Sequence, residues 1–196
     1  MPELPEVETV CRSLRPHLLG RRIRRIEVLE PRLRVPVDEK SLQALTGQRI
    51  EAIERRAKYV LIQLSGNFVW LFHLGMSGKL ICVDAKAARR KHDHIIVSLD
   101  DGAELRYHDP RRFGLSLVSR REALPELAQL RSLGIDPFAG DLTGEYLFGF
   151  TRRSERRIRD LLLDQQIVAG LGNIYANESL ALTGIKPSTR ARRLTR

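Results

Sequence analysis

The apolar positions that open the chain recur at intervals of three and four residues, the spacing of a helix with one buried face. We predict this helix over residues 5–15, with Pro5 in its first turn and Glu6 near the positive end of the helix dipole. Pro16 and Gly20 are expected to end it. The positions on the predicted buried face are Leu4, Val7, Val10, Cys11, Leu14 and Leu18.

Through residues 22–119 the pattern changes to short apolar or alternating runs separated by turns, which is typical of an antiparallel sandwich or barrel. Hairpin turns are indicated by the Ser65-Gly66 pair and by Gly102 with the two aspartates before it. The predicted strands cover residues 23–28, 59–64, 67–72, 79–83, 94–99, 104–107 and 114–119.

Beyond residue 120 the apolar spacing becomes helical again, and residues 134–137, which begin with glycine and end with proline, form a predicted linker. The sequence therefore predicts an α+β protein of two domains. Residues 1–133 would form a β-sandwich with an N-terminal helix, and residues 134–196 a helical domain. The predicted helices cover residues 121–133, 155–165 and 174–182. Candidate N-caps are Thr143, Ser154 and Asn173.

The composition is that of a globular chain. Of the 196 residues, 42% are hydrophobic, and no apolar run approaches the roughly 18 residues that span a membrane. The N-terminus is acidic, unlike a signal peptide, so we expect a cytoplasmic protein without a membrane partner. Cys11 and Cys82 are far apart and form no Cys-x-x-Cys pair, so a disulfide framework and a cysteine metal site are not expected.

A formal charge of +10 and a pI of about 10.3 favour a polyanionic partner. Arginine pairs recur between the predicted elements instead of forming one tail, which indicates a folded face that binds nucleic acid. A solvated basic surface, or association with ribosomes or a membrane surface, would give the same charge.

Pro2 becomes the N-terminal residue if Met1 is removed, which a small second residue permits. Its secondary amine would then be a nucleophile that condenses with an aldehyde carbon to give an iminium ion. An α-amine has a pKa near ~8 in peptides, so a substantial free-base fraction exists near neutral pH. Glu3 is the neighbour that could exchange a proton at the same carbon. Alternatively, the proline is only a stiff start to the chain.

Three predicted turns carry side chains suited to DNA. Lys58 follows a basic pair at the start of a strand, where it is either a phosphate contact or an ordinary surface lysine. Met76 stands between two glycines on a loop, in the manner of the apolar wedges that enter a base stack. Phe113 follows Arg111 and Arg112, a combination suited to stacking on an unpaired base.

Two further motifs allow a functional and a purely structural interpretation. Gly170 and Gly172 precede Asn173 at the start of a predicted helix, so this turn either binds a phosphate or only caps the helix. His92 and His94 could be metal ligands on one face of a strand. No carboxylate or cysteine cluster completes such a site, so a metal is not expected.

Together, six segments in this order resemble the bacterial formamidopyrimidine-DNA glycosylase family, which repairs oxidised purines. The Leu4 version of the first segment is closer to this family than to its endonuclease VIII relatives. The segments are residues 2–9 (PELPEVET), 56–59 (RAKY), 73–78 (HLGMSG), 91–94 (KHDH), 109–114 (DPRRFG) and 170–175 (GLGNIY) with Glu178.

The resemblance implies a bifunctional DNA glycosylase and abasic-site lyase that removes formamidopyrimidine and 8-oxoguanine from double-stranded DNA. Pro2 would attack C1′ of a flipped-out nucleotide, Glu3 would protonate the sugar ring oxygen, and Lys58 would assist at the nucleotide and its phosphate. An iminium intermediate with β- and δ-elimination would follow. Glu6 and Glu178 are expected to be buried organisers of the site. The implied DNA contacts are His73, Met76, His92, Arg111, Phe113, Arg153 and Asn173.

By the same resemblance, Met76, Arg111 and Phe113 would fill the void left by the flipped nucleotide, with Arg111 meeting the orphaned cytosine. The resemblance also implies that residues 134–196 are part of a helix–two-turn–helix DNA-binding domain, which a zinc hairpin follows in the family. That hairpin needs four cysteines and this chain has two, so we expect the hairpin to be absent. We therefore expect a C-terminally truncated monomer that binds no cofactor, with zinc held only by full-length members. The alternatives are a non-catalytic remnant that binds damaged DNA, and a ribosomal-type basic protein.

Overall fold

The computed structural model describes residues 1–195. It contains two compact units, Met1–Leu124 and Pro125–Arg196. The division falls earlier than the 133/134 boundary that the sequence predicts. The helix predicted over residues 121–133 is wrong, because these residues form turns around a single 3-10 turn, Leu124–Glu126. Pro125 explains the difference, since it has no N–H to donate and disfavours a helical conformation at the residue before it.

The N-terminal helix, α1, spans Leu4–Leu18 and packs against the sandwich of the first unit. All the predicted face positions except Val10 are buried. Arg15 Nε donates to the carbonyl oxygen of Ile53, at 2.9 Å, which ties the helix to a strand. The helix continues past its predicted end with Pro16 in its last turn, because Leu18 is fully buried in the core and holds that turn in place.

The rest of the first unit is dominated by eight antiparallel strands. They are β1 (Ile23–Val28), β2 (Ile50–Arg56), β3 (Tyr59–Leu64), β4 (Phe68–His73), β5 (Lys79–Asp84), β6 (Asp93–Leu99), β7 (Ala103–His108) and β8 (Leu115–Arg120). One sheet has the order β1-β6-β7-β5 and the other has the order β2-β3-β4-β8. This arrangement confirms the predicted α+β fold with an antiparallel sandwich.

One apolar core is shared by the two sheets. Phe72 of β4 lies between Trp70 and Tyr107, with ring centres 4.7 Å and 5.5 Å away. The indole N–H of Trp70 donates to Ser116 Oγ at 2.7 Å, so its polar atom is satisfied inside the core. Two elements had been missed. The charged residues of strand β2 obscure its apolar pattern in the sequence, and the helix α2 (Glu39–Gln43) is too short to show a periodic pattern.

The second unit is helical around a smaller apolar cluster. Its helices are α3 (Gly144–Thr151), α4 (Ile158–Leu162) and α5 (Asn173–Leu182). Thr143 caps α3 as predicted, accepting from the backbone N of Tyr146 at 3.1 Å. The other two cap predictions are wrong: Arg157 and Gly172 hold the N-cap positions of α4 and α5, so Asn173 is the first helical residue. Within residues 1–195, no helix has the length and apolarity to cross a membrane.

Candidate active site

The start of α1 fixes the position of Pro2. Glu3 occupies the N-cap and is 2% exposed, while Pro2 directly before it is half-buried. The backbone N of Glu3 donates to Glu6 Oε2 at 2.9 Å, one half of a capping box that satisfies groups at the helix terminus. The chain is therefore anchored one residue after Pro2, with a buried carboxyl group beside it.

Lys58 lies in the tight turn that joins β2 to β3. The residue before it, Ala57, has φ +51°, a left-handed conformation that side chains other than glycine seldom adopt. Lys58 is only 6% exposed, and burial lowers the pKa of its ammonium group, while the negative charge of Glu3 acts in the opposite direction. The fold thus places an amine and a carboxyl group within electrostatic reach of each other, both shielded from water.

His73, at the end of β4, joins the same neighbourhood. It pairs with Tyr59 across the strands, with ring centres 5.0 Å apart, and its Nδ1 accepts from the backbone N of Gly75 at 3.0 Å. Burial lowers its pKa to about 4, and the positive charges of Arg34 and Lys58 add to this effect. His73 in the free protein is therefore neutral at pH 7.

Two loops that follow strands present apolar side chains to solvent. We name residues 73–78 the methionine loop and residues 109–114 the phenylalanine loop. Met76 is 47% exposed and Phe113 is 46% exposed, although large apolar side chains are normally buried. The guanidinium carbon of Arg111 lies 4.7 Å from the centre of the Phe113 ring, a cation–π contact. Each loop therefore exposes one large apolar side chain.

The two loops pack directly against each other. Gly75 has φ +60°, and a Cβ atom there would lie 2.5 Å from the carbonyl carbon of Phe113. Gly114 is equally crowded, because a Cβ atom there would lie 2.5 Å from the carbonyl oxygen of His73. Only glycine fits such close backbone approaches, so the sequence of each loop is matched to the presence of the other.

The basic segment, residues 89–92, is held to the sheet by a buried arginine that sequence reasoning had missed. Arg106 of β7 donates to the carbonyl oxygens of the two alanines before the segment, at 2.7 and 2.9 Å. Asp93, directly after the segment, accepts from the backbone N of Arg90 at 2.9 Å. The signal available in the sequence was a set of charged residues inside otherwise apolar strands. His92, at the end of this segment, is half-buried.

The histidine pair is not arranged as a metal site. His94 is buried, and its Nε2 lies 2.7 Å from the carbonyl oxygen of Asp109, so that nitrogen is engaged in the fold. Cys11 is fully buried in the apolar core. Among residues 1–195, no three His, Cys, Asp or Glu side chains are grouped so as to hold a metal ion. The ligand set of the zinc implied by the resemblance does not fit these residues.

In the second unit, residues 170–173, which we name the glycine turn, are held by one side chain. Gln165 accepts from the backbone N of Gly170 at 2.9 Å and donates to the carbonyl oxygen of Leu171 at 2.8 Å. Asn173 follows at the start of α5 with its side chain exposed, and Arg159 donates to its Oδ1 at 2.8 Å. Arg153, the remaining sequence-predicted contact in this unit, is exposed just beyond α3.

The expectation that Glu6 and Glu178 are buried is wrong. Glu6 is exposed at the first turn of α1, because its role there is to accept from the helix terminus. Glu178 is exposed on α5, because Ala176 and Leu180 occupy the buried face of that helix. Neither glutamate has the burial of Glu3.

Two family models match the chain and together account for most of it. The formamidopyrimidine-DNA glycosylase N-terminal domain matches residues 1–116, and the formamidopyrimidine-DNA glycosylase H2TH domain matches residues 133–196. The chain belongs to the formamidopyrimidine-DNA glycosylase family. This assignment confirms the resemblance of the six sequence segments and places the chain among DNA glycosylases of DNA repair.

Relatives in the formamidopyrimidine-DNA glycosylase family match along the whole chain. The chain is 45% identical to the formamidopyrimidine-DNA glycosylase of Stutzerimonas stutzeri and 47% identical to that of Thioalkalivibrio sulfidiphilus. Each alignment covers 100% of this chain and 72% of the relative.

Solved structures of the family share the fold. A complex between the Lactococcus lactis Fpg and DNA containing an abasic site matches with a TM-score of 0.91 and 35% identity, over 98% of this chain and 71% of that one. A complex of the same protein with Fapy-dG-containing DNA also has a TM-score of 0.91, at 35% identity over 98% of this chain and 72% of that one.

Proposed function

We propose that this chain is a bifunctional DNA glycosylase and abasic-site lyase that removes oxidised purines, formamidopyrimidine and 8-oxoguanine, from double-stranded DNA. The observation that carries the proposal is that Glu3, directly after Pro2, is buried and lies within electrostatic reach of the buried ammonium of Lys58. The names of the relatives and the damaged DNA in the solved complexes support the same substrate class. The protein would work as a monomer on DNA in the bacterial interior.

The first step would be displacement of the damaged base. Once Met1 is removed, the lone pair of the Pro2 nitrogen forms a bond to C1′. The bond from C1′ to the base breaks, and the base leaves with the electron pair and takes up a proton. After the amine proton is lost, Glu3 protonates the sugar ring oxygen, the ring opens, and C1′ becomes an iminium carbon.

The iminium ion would then drive strand cleavage. It acidifies the C2′ hydrogen, and loss of that proton expels the 3′-phosphate by β-elimination. Loss of the C4′ proton then expels the 5′-phosphate by δ-elimination, and water releases Pro2 by hydrolysing the iminium. Lys58 is buried and within electrostatic reach of Glu3, and its ammonium would bind a phosphate of the reacting nucleotide.

Further residues would hold the DNA in the form this chemistry needs. C1′ is reached only after the nucleotide is flipped out, which costs a few kcal/mol. Met76 and Phe113 would fill the resulting void as wedges, with Arg111 facing the orphaned cytosine. The proposed contacts to the DNA backbone are His73, His92, Arg153 and Asn173.

Borohydride trapping on a duplex with one abasic site tests the nucleophile. Borohydride delivers hydride to C1′ of the iminium and converts it to a stable amine, so the protein and the DNA stay covalently joined. We expect a one-to-one adduct whose attachment site, mapped by mass spectrometry, is the Pro2 nitrogen. Intact mass of the free protein should show that Met1 has been removed.

The matched control inserts a glutamine, which is bulky and has no amine to condense with an aldehyde, between Met1 and Pro2. A bulky second residue prevents removal of methionine, so every side chain of the site is kept while the Pro2 nitrogen becomes an amide. This variant should bind abasic DNA and give no adduct at Pro2. An adduct of undiminished yield in the control would show that an amine other than Pro2 is the nucleophile. No adduct with the unmodified chain, despite salt-dependent binding, would favour the non-catalytic alternative.

A further inference from the structure

The carboxyl group of Asp109 joins the methionine loop to the phenylalanine loop. Asp109 is 0% exposed. Ser77 Oγ donates to its Oδ1 at 2.7 Å, and the backbone N of Gly114 donates to its Oδ2 at 2.9 Å. The hydroxyl of Tyr107, from the core of the sandwich, donates to Oδ2 at 3.3 Å. One side chain therefore binds both loops and fixes them to the sheet beneath.

The backbone of Asp109 extends the same connection to the basic segment. Its N–H donates to the carbonyl oxygen of His92 at 3.0 Å, and its carbonyl oxygen lies 2.7 Å from His94 Nε2. The same carbonyl accepts from the backbone N of Arg112 at 3.1 Å, which closes the turn that leads to Phe113. Three segments with proposed DNA contacts thus meet at one residue.

The three donors to the Asp109 side chain are neutral groups, two hydroxyls and one amide. A buried carboxyl group is costly unless its oxygens are hydrogen-bonded, and neutral donors compensate less than a cation would. An apolar residue would avoid that cost and would leave the loops unconnected. The presence of a buried carboxyl group at this position is therefore explained by its hydrogen bonds, which hold Ser77 and Gly114 in fixed positions relative to each other.

We propose that Asp109 is a positioning residue that makes the two loops one rigid wedge, so that Met76 and Phe113 enter the duplex together. This inference rests on the proposed function of the loops. The inference goes beyond that function because it assigns the coupling of the two loops to a buried residue, Asp109, that does not face solvent. Without the Asp109 carboxyl group, each loop would keep its own side chains, but the position of one loop relative to the other would no longer be fixed.

The test compares abasic sites in duplex and in single-stranded DNA. A single strand has no opposite strand and no void to fill, so it reports the Pro2 chemistry without the wedge. For Asp109→Ala we expect borohydride trapping on the duplex to slow by about ten-fold to a hundred-fold, the cost of misplacing a positioning group. Trapping on the single strand should be unchanged.

Asp109→Asn is the matched conservative variant. Its remaining oxygen can accept from Gly114 and Tyr107, and its NH₂ can donate to Ser77, whose hydroxyl also accepts. It should therefore restore duplex trapping to near the original rate. If Asp109→Asn is as slow on the duplex as Asp109→Ala, the charge of the carboxyl group matters and the positioning role is overturned.

Other outcomes are also decisive. Equal slowing of Asp109→Ala on both substrates, or no slowing on either, contradicts the inference. If Asp109→Ala does not fold, as judged by Trp70 fluorescence, Ser77→Ala removes only the link to the methionine loop. The ratio of duplex to single-strand trapping must then fall for that variant, and an unchanged ratio rejects the coupling.

A measurement without chemistry separates this inference from the proposed function. A fluorescent base, 2-aminopurine, is placed next to a stable abasic analogue in the duplex, where insertion of the wedge would unstack it and raise its emission. If the unmodified chain gives no borohydride adduct, the Pro2 chemistry fails. The coupling still stands if the fluorescence rises and Asp109→Ala abolishes the rise, and it falls if the two proteins behave alike.

Discussion

The two units secure their proposed DNA-contacting segments by different means. In the first unit, buried charged groups such as Asp109 and Arg106 reach out from the sandwich and bind the loops above it. In the second unit, the glycine turn depends on the partly exposed Gln165, and the nearby ion pair of Arg156 with Asp164 is exposed to solvent. Burial makes the contacts of the first unit costly to break, whereas water can replace those of the second.

The strongest test of this contrast is Arg106→Met. The Arg106 side chain is 2% exposed and lies 2.8 Å from Glu104 and 3.5 Å from Asp93. Its loss would leave two buried carboxyl groups without that partner, so we expect the free energy of unfolding of the first unit to fall by about 3–5 kcal/mol. Urea unfolding followed by the fluorescence of Trp70, the only tryptophan, measures the change. Exposed ion pairs contribute less than about 1 kcal/mol, so a loss below that value would show that the buried contacts of the first unit are no stronger than the exposed contacts of the second.

Acid should weaken the first unit through His73. Its pKa is lowered to about 4 in the folded state, against about 6.5 in an unfolded chain. A lowered pKa means that the neutral form is favoured on folding, so this stability is present above pH 6.5 and is lost as the pH falls toward 4. Between pH 7 and pH 5 the expected loss is about 2 kcal/mol.

His73→Asn isolates that contribution, because its side-chain oxygen can replace Nδ1 as the acceptor for Gly75 and does not titrate. Urea unfolding at the two pH values gives the free energy of unfolding of each protein. The difference between pH 7 and pH 5 should be smaller for the variant by about 2 kcal/mol. Equal differences for the two proteins would mean that His73 is not held neutral by the fold.

A smaller effect is expected for Gln165→Ala in the second unit. The change removes hydrogen bonds to Gly170, Leu171 and Leu163. Gly170 is buried, but Gln165, Leu171 and Leu163 are only half-buried, so water can replace part of what is lost. The free energy of opening of the glycine turn should fall by about 1 kcal/mol, measured by hydrogen exchange at the Gly170 amide. Amides of the β-sandwich serve as the internal control and should not change. An effect as large as that of Arg106→Met would show that both units are equally rigid.

The smallest effect is expected for Arg156→Met, the matched control for Arg106→Met. The Arg156 guanidinium lies 2.7 Å from Asp164 but is 49% exposed. Exposed pairs of this kind contribute about 0.2–1 kcal/mol. The free energy of opening of α4 and α5, measured by hydrogen exchange, should therefore fall by no more than that amount. The same chemical substitution would then have two different costs, a large one for a buried arginine and a small one for an exposed arginine.

The sequence by itself determined the local elements and the family. The three- and four-residue spacing of apolar residues in α1 and the alternation in the strands report which side of an element is buried, and that depends only on neighbours along the chain. The turn motifs around Met76 and Phe113 are equally local, and they were sufficient for the resemblance that the family models confirm. The helix predicted over residues 121–133 failed on local grounds too, through Pro125.

Only the tertiary structure decided which of these groups meet. Periodicity identifies a buried face but not the strand that pairs with it. The family resemblance implied that Glu3 and Lys58 act at one nucleotide, but neither their shared burial nor the link from Asp109 to Ser77 was visible in the sequence. It also decided which acidic residues are shielded from water: Glu3 is buried while Glu6 and Glu178 are exposed. The physical reason is that burial and pairing of charges depend on contacts between distant segments, which exist only once the two sheets and the helix are packed.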